Sequence, residues 1–347
     1  MSGSSRRALL KKVGLIAGAA ALRPPTAGSA RKPSPNRRDM DRLRERIQGV
    51  HCFMVTPFHS DGSFNAGGLR RNIAHHADAG LQDTTIVVGG GMGEIFSLDL
   101  KEHRAMAEAA AKGARGKLPV VVGACGGYRM ARIMARNAQE AGADAILLFA
   151  PPYWNWIPGY DEGTIRYFTE VAQSIDIGVV MATVSGHNFP TGKENYWPKV
   201  LKRLSELPNV LGFEDSSSDI AMGQELGNLV SDRLVWIARG EGHAVKALPA
   251  GARGNTSAVA TFVPQACREF CRQGRLGEVE RMQEVLRTRI QPMAQVRGLS
   301  PGYHVSGIKV ALEALGRAGG PVRPPGRAVR PEDRPRIAAI ARKHAEA

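Results

Sequence analysis

One stretch near the middle of the chain indicates the type of fold. Residues 119–149 read PVVVGACGGYRMARIMARNAQEAGADAILLF. An apolar run over Pro119–Ala124 is followed by an amphipathic stretch over Met130–Ala141 and by a second apolar run over Ala143–Phe149. Gly142 lies where a helix would need a C-terminal cap. Because continuous apolar runs are typical of parallel strands covered on both faces, this stretch predicts a strand–helix–strand unit.

The same alternation continues in both directions from this unit. The predicted strands are Val50–Val55, Thr84–Val88, Pro119–Ala124, Ala143–Phe149, Ile177–Met181, Val210–Phe213, Leu234–Ala238 and Asn255–Ala260. Eight strand-then-helix units in succession predict an α/β fold, a closed (β/α)8 TIM barrel, with three additional C-terminal helices. A doubly wound open sheet is the alternative, but the glycine-rich turn at 89–93 lacks the dinucleotide-binding spacing.

Charge is distributed unevenly along the 347 residues. The formal net charge is +15, but residues 1–46 carry 12 basic and 3 acidic side chains and residues 317–347 carry 8 basic and 3 acidic ones. The region between them is nearly neutral, with 27 basic and 26 acidic side chains. A nucleic-acid-binding domain would carry its basic surface on the folded body, so basic tails that lie in solvent are the favoured interpretation and no nucleic-acid partner is predicted.

The amino terminus has the order of an export signal. Arg6 and Arg7 precede an apolar run over Val13–Leu22, and small residues follow at Ala27–Ala30. This order predicts a twin-arginine-type signal peptide over residues 1–30 and export to the periplasm or the exterior. The alternative is a basic extension on a cytoplasmic protein. The apolar run is too short for a membrane span.

The chain is thus divided into four regions. After the signal peptide we predict a polar linker over residues 31–47, the barrel over residues 48–262 and a C-terminal helical extension over residues 263–347. No cysteine pair has the spacing of a zinc site, and no H-x-H or E-x-x-H spacing supports another metal site, so the sequence predicts no cofactor. Carboxylates and histidines at the barrel mouth could nevertheless hold a divalent metal, and that alternative stays open.

Active sites of such barrels lie at the carboxyl ends of the strands, and characteristic motifs occur there. They are Val55-Thr56-Pro57-Phe58, Gly90-Gly91-Met92-Gly93-Glu94, Gly142-Ala143-Asp144-Ala145, Pro152-Tyr153-Trp154-Asn155, Gly212-Phe213-Glu214-Asp215-Ser216, Gly251-Ala252-Arg253-Gly254 and Ile308-Lys309-Val310-Ala311-Leu312. In these motifs the sequence resembles the dihydrodipicolinate synthase and N-acetylneuraminate lyase family of class I aldolase-type barrels, over about residues 48–330. The resemblance implies a lyase, a small-molecule 2-oxo acid or sugar acid as substrate, and a homotetramer.

The sequence departs from the family pattern at the residues that carry its chemistry. Members that form a Schiff base with a 2-oxo acid use a lysine at the end of the sixth strand, where this chain has Glu214. The tyrosine that relays protons in the family aligns with Ala182, and its paired threonines align with Gly91 and Met92. A carboxylate cannot form an imine, so the usual mechanism is not expected. Lys246, just after the seventh strand, is the only lysine with a plausible route to the barrel mouth as a substitute.

The sequence therefore gives a set of candidate site residues. The predicted catalytic residues are Glu214, Glu94 and Tyr153, and the predicted substrate-binding residues are Thr56, Gly91, Met92, Trp154, Ala182, Thr183 and Arg239. The predicted function is a lyase or aldolase-like activity on a 2-oxo acid or sugar acid without the lysine Schiff base. The alternatives are a catalytically inactive barrel that binds a small carboxylate ligand, and a surface-binding or nucleic-acid-binding module that acts through its basic tails.

Overall fold

The computed structural model describes residues 37–150, 160–183, 197–216 and 219–346. The predicted signal peptide, Tyr153 and Trp154 lie outside these residues. Among the described residues, no helix is both long enough and apolar enough to cross a membrane.

Eight parallel strands close into a barrel in the order of the sequence, with β1 paired to both β2 and β8. The strands are β1 Gly49–Phe53, β2 Thr84–Val88, β3 Val120–Ala124, β4 Ala145–Phe149, β5 Gly178–Thr183, β6 Val210–Asp215, β7 Val235–Ala238 and β8 Gly254–Ser257. The predicted (β/α)8 barrel is confirmed, and the open sheet is ruled out because a closed barrel has no edge strands.

The described helices alternate with the strands and then continue beyond them. They are α1 Arg37–Arg46, α2 Ala66–Asp78, α3 Leu100–Ala114, α4 Tyr128–Glu140, α5 Tyr160–Ala172, α6 Trp197–Leu204, α7 Ile220–Leu229, α8 Gly240–Ala247, α9 Pro264–Arg275, α10 Val279–Val285, α11 Gln291–Gly298, α12 Ser306–Ala314 and α13 Arg334–His344. Local capping fixes several of these ends. The Asp99 carboxylate, for example, accepts a hydrogen bond from the Glu102 amide while the Glu102 side chain accepts one from the Asp99 amide, at the start of α3.

The alternation of side chains along each strand divides the apolar residues into two clusters. Residues such as Val87, Val121, Leu147 and Val180 fill the barrel interior. Their strand neighbours point outward and pack against the surrounding helices. The interior is therefore a packed core rather than a pore, and a ligand site on the barrel itself lies beyond the ends of the strands.

Helix α1 is a correction to the predicted polar linker over residues 31–47. Eight of its ten residues are charged, but Met40 and Leu43 are three positions apart and both are buried. Together with Ile47 they join the apolar cluster that fills the barrel interior. Two apolar side chains on one helix face thus suffice to dock a segment whose composition indicated a linker.

The last predicted strand, Asn255–Ala260, is shorter than expected. Strand β8 ends at Ser257, and Val259–Thr261 form a single 3-10 turn. The Ser257 hydroxyl accepts a hydrogen bond from the Ala260 amide at 2.9 Å, which favours the turn over continued extension. The C-terminal helices follow, and α9 packs against β1 and β8.

Candidate active site

A cavity of about 910 Å³ lies at the carboxyl ends of the strands. Its lining includes Phe53, Phe149 and Glu214 from the ends of β1, β4 and β6, together with residues of the loops that follow β7 and β8. Arg297, on helix α11 of the C-terminal extension, also lines the cavity. The position agrees with the place where barrels of this type build active sites.

Glu214 is the buried acid at this end of the barrel. It pairs with Ala182 of β5 and Ile237 of β7, and only 7% of the residue is exposed. The Ser216 hydroxyl donates a hydrogen bond to its carboxylate, at 2.8 Å from Oε1 and 2.9 Å from Oε2. Burial raises the pKa of Glu214 to about 7, and the neighbouring Asp215 charge adds to the increase, whereas Ser216 and Arg239 oppose it. Both protonation states are therefore accessible near neutral pH, as a general acid or base requires.

Because the pKa of Glu214 is raised, we expect the free energy of unfolding to depend on pH. Because the folded-state pKa of Glu214 lies above its ordinary value of 4.5, the ionised side chain is disfavoured in the fold. The stability contributed by the protonated form is fully present below pH 4.5 and is lost as the pH rises through about 7, at a cost of about 3 kcal/mol. Glu214→Gln should therefore raise the free energy of unfolding at pH 8 and change it little at pH 4.5.

Urea titrations of both proteins at the two pH values check this expectation. Glu225→Gln, at an exposed position on α7, is the matched control and should have the same small effect at both. A Glu214→Gln variant equally destabilised at pH 4.5 and pH 8 would contradict a carboxyl group that is protonated in the fold.

A second acid, Glu241, stands at the start of α8 and also lines the cavity. Burial raises the pKa of Glu241, and Arg297 partly offsets this effect. Its Oε1 atom lies 3.9 Å from the Sγ atom of Cys267. Among the described residues, there is no group of three or more His, Cys, Asp or Glu side chains arranged to hold a metal.

Cationic side chains surround these two acids. Arg239, Lys246 and Arg297 all line the cavity. The Nη1 atom of Arg239 donates to the Ser216 carbonyl at 3.2 Å, and Nη2 of Arg297 lies 3.6 Å from Sδ of Met92. Burial lowers the pKa of Arg297. Three guanidinium or ammonium groups against two carboxyl groups, both with raised pKa values, favour an anionic ligand.

His243 and Asp215 form a buried pair beside the cavity. Nε2 of His243 lies 3.8 Å from Oδ2 of Asp215, and their side chains are 7% and 1% exposed. Burial lowers the pKa of His243, while Asp215 opposes that change. Since His243 also lines the cavity, the pair provides a second group that can change protonation near the ligand.

Several of the sequence-predicted residues meet at this cavity. Gly91, Met92, Glu214 and Arg239 are all part of the lining. Lys246 is the one lysine among the described residues that line it, and its side chain is exposed. The structure thus brings together the predicted acid, the predicted arginine and the predicted substitute lysine.

Thr56 and Ala182 have other surroundings. The Thr56 hydroxyl is buried and donates to the Gly93 carbonyl at 2.6 Å, so it holds the loop that carries Gly91 and Met92. Ala182 is fully buried in the barrel interior beside Glu214, and Thr183 pairs in register with Asp215. Tyr153 and Trp154 lie outside the described residues.

Glu94, a predicted catalytic residue, is not among the described residues that line this cavity. Its backbone is left-handed, with φ of 52°, at the junction of two 3-10 turns. Oε2 of Glu94 forms an ion pair of 2.5 Å with Lys309, and Oε1 accepts the amide hydrogen of Arg323 at 2.9 Å. Because both carboxylate oxygens are engaged by the C-terminal extension, we assign Glu94 a structural role.

Arg297, by contrast, is a cavity residue that the sequence interpretation missed. It lies in a segment predicted only as C-terminal extension, and no motif surrounds it. The local sequence does not indicate this position. Arg297 reaches the cavity because α11 folds back over the end of the barrel.

Comparison with known proteins identifies the family of this chain. The sequence model of the Dihydrodipicolinate synthetase family matches residues 46–344. The chain is 33% identical over 295 residues to a Rhizobium rhizogenes protein named "Probable 5-dehydro-4-deoxyglucarate dehydratase", a match that covers 84% of this chain and 94% of the relative. It is 32% identical over 288 residues to the Streptomyces coelicolor "Probable 5-dehydro-4-deoxyglucarate dehydratase 2", covering 82% and 86% of the two chains.

Solved structures agree on the fold. Dihydrodipicolinate synthase from Oceanobacillus iheyensis superposes with a TM-score of 0.75 at 22% identity, over 88% of this chain and 98% of that one. A dihydrodipicolinate synthase from Bacillus anthracis also gives 0.75, at 23% identity, over 86% and 99% of the two chains. With the family match covering most of the barrel and its extension, the chain belongs to the dihydrodipicolinate synthetase family of aldolase-type lyase barrels.

Proposed function

We propose that the protein is a lyase that removes water from an anionic 2-oxo sugar acid, of the dicarboxylate class, without forming an imine. The observation that carries this proposal is Glu214, which is buried at the cavity with a pKa of about 7. In the family pattern this position belongs to the Schiff-base lysine. A carboxyl group there can accept and return a proton but cannot condense with a ketone.

The cavity and the relatives both support the substrate class. The relatives are named as dehydratases of 5-dehydro-4-deoxyglucarate, a keto sugar acid with two carboxylates. Arg239 and Arg297 reach the cavity from different elements, the first from the loop after β7 and the second from α11. Two guanidinium groups on separate elements suit a ligand with two separated carboxylates, because each guanidinium group can donate two hydrogen bonds to one carboxylate.

Loss of water needs only one group that carries a proton between two sites. Ionised Glu214 takes the proton from the carbon beside the ketone, and the C–H electron pair forms an enolate. The enolate then expels the hydroxyl group of the next carbon, which leaves as water with the proton from Glu214. Glu214 thereby returns to its ionised state, and Arg239 or Arg297 stabilises the negative charge on the enolate oxygen.

A second candidate is a barrel that binds a small carboxylate without turnover. Ala182 favours it, because a fully buried methyl group stands where the family's proton-relaying tyrosine would be. In that case Glu214 would set the pH dependence of binding and would not affect any reaction.

A combined binding and turnover assay tests the proposal. The full-length protein is incubated with 5-dehydro-4-deoxyglucarate, and loss of substrate is followed by NMR while binding is measured by calorimetry. We expect turnover in the wild type, a loss of about 100-fold or more in kcat for Glu214→Gln, and retained binding. Glu225→Gln, on the exposed surface, should behave as the wild type.

Borohydride reduction separates the mechanisms. We expect no covalent adduct on the wild-type protein in the presence of the substrate. A reduced adduct on Lys246 would contradict the imine-free mechanism, and turnover that survives Glu214→Gln would contradict the role of Glu214. Tight binding with no turnover would favour the second candidate.

A further inference from the structure

A second, smaller cavity lies at the opposite end of the barrel from the candidate active site. Its volume is about 310 Å³, and it is bordered by Gly49 at the start of β1, by Asp83 before β2 and by Arg253 before β8. All three positions mark the amino ends of strands, whereas the larger cavity lies at the carboxyl ends. Nothing in the proposed function uses this cavity, so the inference stands independently of it.

Arginine dominates the lining of this second cavity. Arg268, Arg272 and Arg275 lie on α9 at positions i, i+4 and i+7, so they share one face of the helix. Arg253 approaches from the turn before β8, where its amide donates to the Trp236 carbonyl at 2.9 Å and its carbonyl accepts from Gly49 at 3.0 Å. We call these four side chains the arginine cluster.

The charge of the arginine cluster is not balanced by the protein. Asp83 is the one acidic residue in the lining. Among the described residues, no carboxylate forms an ion pair with Arg253, Arg268 or Arg272, and Arg275 donates only to the neutral Gln48 side chain, at 3.0 Å. The Nε atom of Arg268 is buried and has no hydrogen-bond partner. A buried donor without an acceptor is costly, and it points to a ligand acceptor at this place.

The helix itself does not account for the cluster. Arg272 and Arg275 lie in the last turn of α9, where the helix dipole favours positive charge. Arg268 lies in the middle of the helix, where the dipole gives no such benefit, and like charges four positions apart repel each other. The convergence of Arg253 from a separate loop adds to this repulsion. An anion bound among the four side chains would remove it.

We propose that the arginine cluster is a binding site for a small phosphate-bearing anion with several negative charges. Guanidinium groups match phosphate oxygens with paired hydrogen bonds, and four of them around one cavity suit a diphosphate better than a single carboxylate. The cavity has the volume for such a group, at the lower end of the range typical of small-molecule sites. Because the two cavities lie at opposite ends of the barrel, both can be occupied at once.

Calorimetry with inorganic pyrophosphate at low ionic strength tests this site on the full-length protein. We expect saturable binding at one site per chain, weakened about tenfold or more by Arg268→Gln, since a hydrogen bond to a charged group contributes about 1.5–3 kcal/mol. Arg272→Gln, at an exposed position that tolerates substitution, should weaken binding in the same direction. Arg281→Gln, on the exposed surface of α10 and outside the cavity, is the matched control and should bind as the wild type.

The outcomes are distinct from those that test the proposed function. Absence of saturable binding would overturn the proposal, and so would equal losses in Arg272→Gln and Arg281→Gln, which would indicate a general attraction of the basic chain for anions. If Arg268→Gln fails to fold, the affinity of Arg272→Gln for pyrophosphate, compared with that of Arg281→Gln, tests the proposal. Pyrophosphate binding that is lost in Arg239→Gln but kept in Arg272→Gln would place the anion in the candidate active site and would also overturn the proposal.

Discussion

Replacing Glu214 by lysine is expected to give a protein that forms a Schiff base with pyruvate. The position is buried, lies at the cavity and pairs with Ala182 and Ile237 in the barrel interior. A lysine placed there loses hydration and lies close to Arg239, and both effects lower the pKa of its amine, whereas the neighbouring Asp215 opposes them. The unprotonated amine can then attack the pyruvate ketone, and loss of water gives an imine.

Borohydride reduction, intact mass and peptide mapping check this expectation. The Glu214→Lys variant should gain the mass of one reduced pyruvate, and the label should map to position 214. The wild type and a Lys246→Arg variant should stay unlabelled under the same conditions. A folded Glu214→Lys variant that forms no adduct would show that this side chain does not reach the carbonyl of a bound keto acid, and the alignment of Glu214 with the family lysine would then be wrong.

Most of the eight strands could be predicted from the sequence because they are short, largely apolar runs that are buried on both sides. Strand β8, which reads Gly-Asn-Thr-Ser, is the exception. Helix α1 could not, because eight of its ten residues are charged and its docking depends on Met40 and Leu43 meeting the barrel interior. Composition describes the average residue of a segment, whereas docking here depends on two side chains three positions apart. The same limit applies to any short helix with a narrow apolar stripe.

The candidate site was predictable where it follows from strand order and was missed where it depends on tertiary contacts. Glu214 and Arg239 come directly from the ends of β6 and β7, and the barrel brings such ends together. Glu94 follows β2 in the same way, but its left-handed backbone and its ion pair with Lys309 direct it to the C-terminal extension. Arg297 reaches the cavity from that extension, and nothing in its local sequence indicates this.

The ion pair between Glu94 and Lys309 leads to the second large expected effect. Lys309 is 0% exposed, and its Nζ lies 2.5 Å from Glu94, 2.7 Å from the Pro321 carbonyl and 4.3 Å from the centre of the Phe58 ring. Burial lowers the pKa of Lys309, and Glu94 opposes that change. Lys309→Met should destabilise the fold by about 3–5 kcal/mol, because it leaves a buried carboxylate without its cation.

Urea unfolding of four proteins separates the buried pair from a general effect of removing charge. Lys112→Met breaks an exposed pair with Glu108 and should cost less than about 1 kcal/mol. The double variant Glu94→Gln with Lys309→Met should recover part of the loss, since the unpaired charge is gone. A Lys309→Met variant as stable as Lys112→Met would contradict a buried ion pair at this position.

Since the loop of Glu94 also carries Gly91 and Met92, the Lys309→Met variant should bind ligands of the large cavity more weakly than the wild type. The cation of Lys309 thus stabilises the protein and, through Glu94, positions one wall of the candidate active site.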